Sequence, residues 1–179
     1  MPKITWLALG YNMPANPSRN RVFVWRKLKD CGAGYFKQSV AILPKSPQSM
    51  AQFQDLAATI RNMGGEATLA ELRFVEPDDE ARTIQWFQHQ SEEEYTELLR
   101  DCADAARRVK GGLLRHMESG DNLKKLQKRL VKARSRDYFN HPRSGHSRDS
   151  LRAIDELLSD MASATTDLKK QFQKLLDDN

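Results

Sequence analysis

Residues 4–32 read ITWLALGYNMPANPSRNRVFVWRKLKDCG, and the way this stretch divides decides the fold. Ile4 to Tyr11 is a continuous apolar run, the pattern of a strand buried on both faces. Pro14 and Pro17 punctuate a loop. Ser18 stands where a helix N-cap belongs, and Val22, Trp25 and Leu28 then recur at helical spacing up to a stop at Gly32. A buried strand followed at once by a short helix is half of a layered α+β unit, because each element needs the other to cover its apolar side.

The next residues supply the second half. Tyr35-Phe36 and Val40 to Leu43 predict two short strands with a turn near Lys37 to Ser39. Ser46-Pro47 is an N-cap followed by proline at the first helical position, and Met50, Phe53, Ala57 and Ile60 form one helix face closed by Gly64-Gly65. Residues 66–75, EATLAELRFV, alternate weakly and predict a fourth strand. The order β-α-β-β-α-β is that of a ferredoxin-like sandwich, with two helices on one face of an antiparallel sheet, expected as a domain over 1–76.

The remainder, 77–179, reads as a helical extension of three helices. Tyr95, Leu98, Cys102, Ala105 and Val109 recur at 3-4 spacing, and Gly111-Gly112 and Gly120 bracket an expected break. Leu123, Leu126, Leu130 and Ala133 continue the pattern in a second helix, and Pro142 to Ser147 predict a loop. The last helix carries Leu151, Ile154, Leu158, Met161, Thr165, Leu168, Phe172 and Leu175, a seam of more than three heptads. Packing as an antiparallel bundle within the chain is the plainer use of these faces; a homodimer seam is the other.

The 179 residues carry 29 Lys+Arg against 24 Asp+Glu, and the excess is a block. Residues 1–106 are net −2, residues 107–152 net +10 and residues 153–179 net −3. Six further cations, Lys3, Arg19, Arg21, Arg26, Lys27 and Lys29, precede the first acid, Asp30. Two cationic zones suit a polyanion, since neutralising phosphates releases counterions. No stretch has the roughly 18 consecutive apolar residues of a membrane span, and the N-terminal run lacks a cleavage site, so no membrane association and a cytoplasmic, reducing location are expected. Cys31 and Cys102 stand 71 positions apart and suggest neither a disulfide framework nor a metal pair.

Enzyme chemistry finds no support in the residues. A metal-dependent phosphodiesterase of this architecture would need an acidic ligand at the end of the first strand, where Tyr11-Asn12-Met13 stand instead. His89, His116, His141 and His146 are scattered, with no Cys or third His at ligand spacing, so no metal is expected. There is no nucleophile elbow, phosphate loop or dinucleotide fingerprint, so neither a catalytic residue nor a cofactor is expected. Cys31 falls near a helix C-terminus, where the dipole opposes a thiolate, and Cys102 on a helical core face. The informative group is Lys124, Lys125, Lys128, Arg129 and Lys132. Leu123, Leu126 and Leu130 fix the buried side of that helix, leaving a basic face suited to a phosphate backbone. Arg19, Arg21 and Arg26, at and beyond a helix N-terminus, are candidates for an oxyanion or for DNA phosphate. Arg136 with Asp137 is an alternative internal brace.

An ordered set of residues along the chain resembles the N-terminal domain of ChrB-type chromate resistance proteins. It comprises Trp6-Leu7, Pro17-Ser18, Arg21-Val22, Trp25-Arg26, Leu28, Gly32-Ala33 and Leu43-Pro44, then Phe53, Ile60, Gly64-Gly65-Glu66-Ala67, Glu94-Tyr95, Arg136-Asp137-Tyr138-Phe139 and Pro142. The resemblance implies a dimeric repressor of chromate-resistance operons that binds double-stranded DNA and is released by chromate. Such proteins usually carry a second, C-terminal domain, which these 179 residues do not include. Before Tyr95, where an arginine is expected, this sequence has Gln88-His89-Gln90-Ser91-Glu92. The rival expectation is a non-enzymatic accessory module that binds a partner protein through its heptad-patterned helices.

Overall fold

A computed structural model describes residues 4–110, 116–139 and 145–177, with side chains described except at 110, 116–119, 145–147, 168–169 and 171–177. The chain is mixed α+β and divides into two compact units, residues 1–87 and 88–179.

The first unit is built on β1 (Trp6–Asn12), α1 (Ser18–Asp30), β2 (Gly34–Lys37), β3 (Val40–Pro44), α2 (Pro47–Asn62) and β4 (Glu66–Leu72). The four strands form one sheet in the order β2-β3-β1-β4, with every neighbouring pair antiparallel. β1, the apolar run, is central, as its two-sided burial requires. Gln38 and Ser39 make the β2–β3 turn, Ser39 taking φ 60°. α2 packs across β1 and β4, and α1 lies against α2. Val24 and Leu28 of α1 and Phe53, Leu56, Ala57 and Ile60 of α2 are buried, together with Leu7, Leu9, Ala41 and Leu43 of the sheet.

α2 begins as its sequence demands. The Ser46 hydroxyl accepts from the Ser49 N–H (3.0 Å), the Ser49 hydroxyl accepts from the Ser46 N–H (2.8 Å), and Pro47 takes the first helical position. α1 differs from expectation at its start. Pro17 is its N-cap and Ser18 its first helical residue, without a side-chain cap. Its phase differs as well: Val24 and Leu28 point inward, whereas Val22 and Trp25 are exposed.

The side of the sheet that carries Trp6 is covered by aromatic rings. Trp6 meets Phe74 edge-on and Phe87 at a tilt, each at 5.7 Å, and Phe87 meets Trp86 at 5.0 Å. Phe87 and Trp86 belong to α3 (Pro77–Lys110), whose first turn also supplies Glu80. The Glu80 carboxylate accepts from the Trp6 indole N–H (3.1 Å) and the Ile4 backbone N–H (3.2 Å). A Cβ at Gly34 would lie 2.9 Å from Trp86, so the bare backbone of β2 makes room for these rings.

The second unit holds the rest of α3 with α4 (His116–Arg136) and α5 (Gly145–Asp177). Its core takes Tyr95, Leu98, Cys102, Ala106 and Val109 from α3, Leu126, Leu130 and Ala133 from α4, and Ile154, Leu158 and Met161 from α5. Ala106 replaces the expected Ala105, which is partly buried. Gly120 lies within α4 and does not break it, and α5 already begins at Gly145 inside the expected loop. The break at Gly111-Gly112, residues 142–144 of that loop, and the side chains of Leu168, Phe172 and Leu175 lie outside the described residues.

Candidate nucleic-acid interface

α4 owes its basic face to a division of labour between its lysines and its arginines. Leu126, Leu130 and Ala133 turn into the core, with Leu123 partly buried beside them. At 3.6 residues per turn the opposite stripe is then Lys124, Lys128, Val131 and Ser135, at i, i+4, i+7 and i+11. Lys125 and Lys132 flank that stripe, and all four lysines are exposed. Val131, 68% exposed, is an uncovered apolar side chain in their midst.

The arginines lie lower on the helix and reach sideways. Arg129 pairs with Asp101 of α3. The Arg134 guanidinium donates to both carboxylate oxygens of Asp155 of α5, at 2.8 and 3.0 Å. Arg136 pairs with Glu94 of α3, and both are partly buried. As these contacts advance along α4 they retreat along α3, so the two helices run in opposite directions. Asp137 accepts instead from the Tyr95 hydroxyl (3.1 Å), so the expected Arg136–Asp137 brace is replaced by two parallel links to α3. Among the described residues Lys124, Lys125 and Lys128 make no ion pair, which keeps their charge available to an external anion.

The candidate residues thus fall into three groups. Lys124, Lys125, Lys128 and Lys132 share one exposed surface. Arg129 is exposed beside them but tied to Asp101. Arg19, Arg21 and Arg26 lie on α1 in the other unit, all exposed. A groove of about 350 Å³ between α3 and α4 is lined by Asp101, Asp104, Arg108, Lys125 and Arg129 among others, and its acids offset its bases. Among the described residues no three His, Cys, Asp or Glu gather as metal ligands, and no helix is long and apolar enough to cross a membrane. His89 faces Glu93 on the surface at 3.6 Å. Cys31 is buried with its thiol donating to the Leu28 carbonyl, and burial pushes the Cys102 thiol up to about 11.

Sequence reasoning missed that Arg129 and Arg134 are tied to neighbouring helices, since their partners lie 28 and 21 residues away and no local spacing reveals them. It also missed the exposure of Val22 and Trp25. The signal for that was the unbroken run Val22-Phe23-Val24-Trp25, too many large apolar residues for one helix face.

The class defined by these features is a mixed α+β protein whose antiparallel sheet unit is followed by a helical unit with a cationic face. The family model described as Protein ChrB, N-terminal, matches residues 21–172, and the chain belongs to that family, as the ordered residues from Trp6 to Pro142 implied. Protein ChrB of Cupriavidus metallidurans is 26% identical over 104 residues, covering 58% of this chain and 32% of that relative. The chain therefore matches about a third of that relative's length.

Proposed function

We propose that this chain is a cytoplasmic DNA-binding transcription regulator linked to chromate resistance, a binding protein and not an enzyme, with α4 as its duplex-contacting element. We assign its sheet unit to the ferredoxin-like folds, for which the strand order β4-β1-β3-β2 and the two helices between the strands are the support. The observation that carries the functional reading is the separation on α4. Its arginines are used up in holding the helices together, while Lys124, Lys125 and Lys128 face outward on a block of net charge +10 over 107–152. Four exposed lysines share one helical surface, three of them making no ion pair among the described residues, and these are the cations such a face offers to phosphates, whose neutralisation releases counterions.

The test is binding of the purified chain to its own upstream duplex across about 50 to 200 mM salt, with and without chromate. Affinity should fall steeply with salt, and Lys124→Ala/Lys128→Ala should lower it and reduce the log–log salt slope by about 2. Release by chromate would place effector sensing in this chain. Absence of binding at low salt, or binding indifferent to the two substitutions, would overturn the assignment of α4 and favour a partner-protein module.

A further inference from the structure

The most unusual surface lies on α1, in the first unit. Only Val24 and Leu28 of this 13-residue helix are buried. Val22 is 44% exposed, Phe23 38% and Trp25 50%. Between and around them stand Arg19, Arg21, Arg26, Lys27 and Lys29, all exposed, with Asp30 the helix's single acid. Each exposed ring has a cation over it: the Lys27 ammonium lies 5.5 Å from the Phe23 centroid and the Lys29 ammonium 5.4 Å from that of Trp25. On the edge strand β2, Tyr35 and Phe36 are also exposed, but Phe36, with Lys37 6.0 Å over its ring, meets Phe74 edge-on at 5.6 Å on the Trp6 side of the sheet and is not part of the α1 surface. Residues 1–54 hold eight Lys+Arg and one acid.

We propose that the outward face of α1 is a second nucleic-acid contact, one that takes an unpaired nucleotide segment by stacking a base on Trp25 while Arg19, Arg26 and Lys29 neutralise phosphates. The chemistry of this face restricts what could cover it. A purely apolar partner would strand the interleaved cations without water. A bilayer would need one continuous apolar side, but around the helix Arg26 and Arg19 separate Val22 and Trp25 from Phe23. An acidic protein would have to interleave aromatic side chains among its acids at matching spacing to meet both the cations and the rings. A nucleic-acid strand brings negative charge and flat rings together in a single repeat, and basic grooves with stacking platforms are how single strands are held. The strand must be unpaired at the contact, because a duplex base already has both faces stacked. This reading does not depend on α4, and the two can fail separately.

The experiment uses the full chain with a labelled single-stranded oligonucleotide and the duplex of the same sequence, followed by anisotropy and by tryptophan emission. The single strand should bind and quench Trp25. Trp25→Ala should weaken that binding roughly tenfold, by the usual effect of deleting a stacking platform, and Trp25→Phe should restore most of the affinity while removing the quench. Arg26→Ala should reduce the salt slope by about 1. Lys124→Ala/Lys128→Ala, which tests α4, should leave single-strand binding in place. Because Trp25 is half exposed, the variants should keep the parent far-UV spectrum. Single-strand binding that is absent or indifferent to Trp25→Ala overturns the proposal. So does Trp25-dependent binding to phosphatidylglycerol vesicles or polyglutamate in place of DNA.

Discussion

Gly64 and Gly65 close α2, and they are needed for different reasons. Gly64 takes φ +79°, a conformation that L side chains resist, but a Cβ there would meet nothing within 4 Å. Gly65 is restricted by space: a Cβ would stand 2.7 Å from the Asn12 carbonyl oxygen and 2.6 Å from the Met13 sulfur. The Met13 thioether can swing aside, but the carbonyl is fixed by the end of β1. Gly65→Ala should therefore cost about 1–3 kcal/mol by overpacking, and Gly64→Ala about 1 kcal/mol from backbone strain alone. Urea midpoints of the two variants check this, and a Gly64→Asn change, which tolerates the left-handed region better, should recover part of the loss at that position only. The glycine pair was legible in the sequence as a helix stop. That the second glycine is a packing device was not, because its neighbours come from β1, some fifty residues earlier.

At the level of elements, α1 and α2 show what periodicity fixes and what it leaves open. In α2 Phe53, Leu56, Ala57 and Ile60 recur at i, i+3, i+4 and i+7, so one phase buries them together, and that phase is the observed one. In α1 four large apolar residues occupy 22–25 in succession, and spacing alone permits more than one buried stripe. The Val24–Leu28 pair goes inward, and Val22 and Trp25 are left outside. Leu28→Ala should then destabilise the protein by about 2–5 kcal/mol, whereas Trp25→Ala should change stability by about 0.5 kcal/mol or less. Thermal or urea unfolding of the two variants distinguishes the phases, and equal losses would contradict the observed one. The seam of α5 was legible through Ile154, Leu158 and Met161 for the same reason as α2: they recur at 4-3 spacing, and the adjacent Leu157 packs partly against the same core. The sheet was legible because a continuous apolar run has few uses in a short domain other than a central strand.

For the whole molecule the sequence displayed its charge segregation openly, but the way cations are used depends on which helices meet. Arg129, Arg134 and Arg136 look like Lys124 and Lys128 until α3 and α5 bring Asp101, Asp155 and Glu94 beside them. The same assembly buries two titratable groups on α3, and these bear on the alkaline side of stability. Burial pushes the Cys102 thiol up to about 11 and the Tyr95 phenol well above its ordinary range, with the Asp137 carboxylate reinforcing the second shift. The folded chain thus holds both protons more tightly than the unfolded chain, whose thiol and phenol titrate near about 8.5 and 10. The stability contributed by the two neutral groups is complete below the lower of those values and is lost as pH rises through the folded ones, with a slope of up to about 1.4 kcal/mol per pH unit for each group. Urea unfolding between about pH 8 and pH 11 should show this decline. Cys102→Ala should flatten its earlier part and Tyr95→Phe its later part, each also lowering stability at neutral pH because packing or the hydrogen bond to Asp137 is lost. A pH profile of the same steepness in both variants and the parent would mean that neither group sets the alkaline limit.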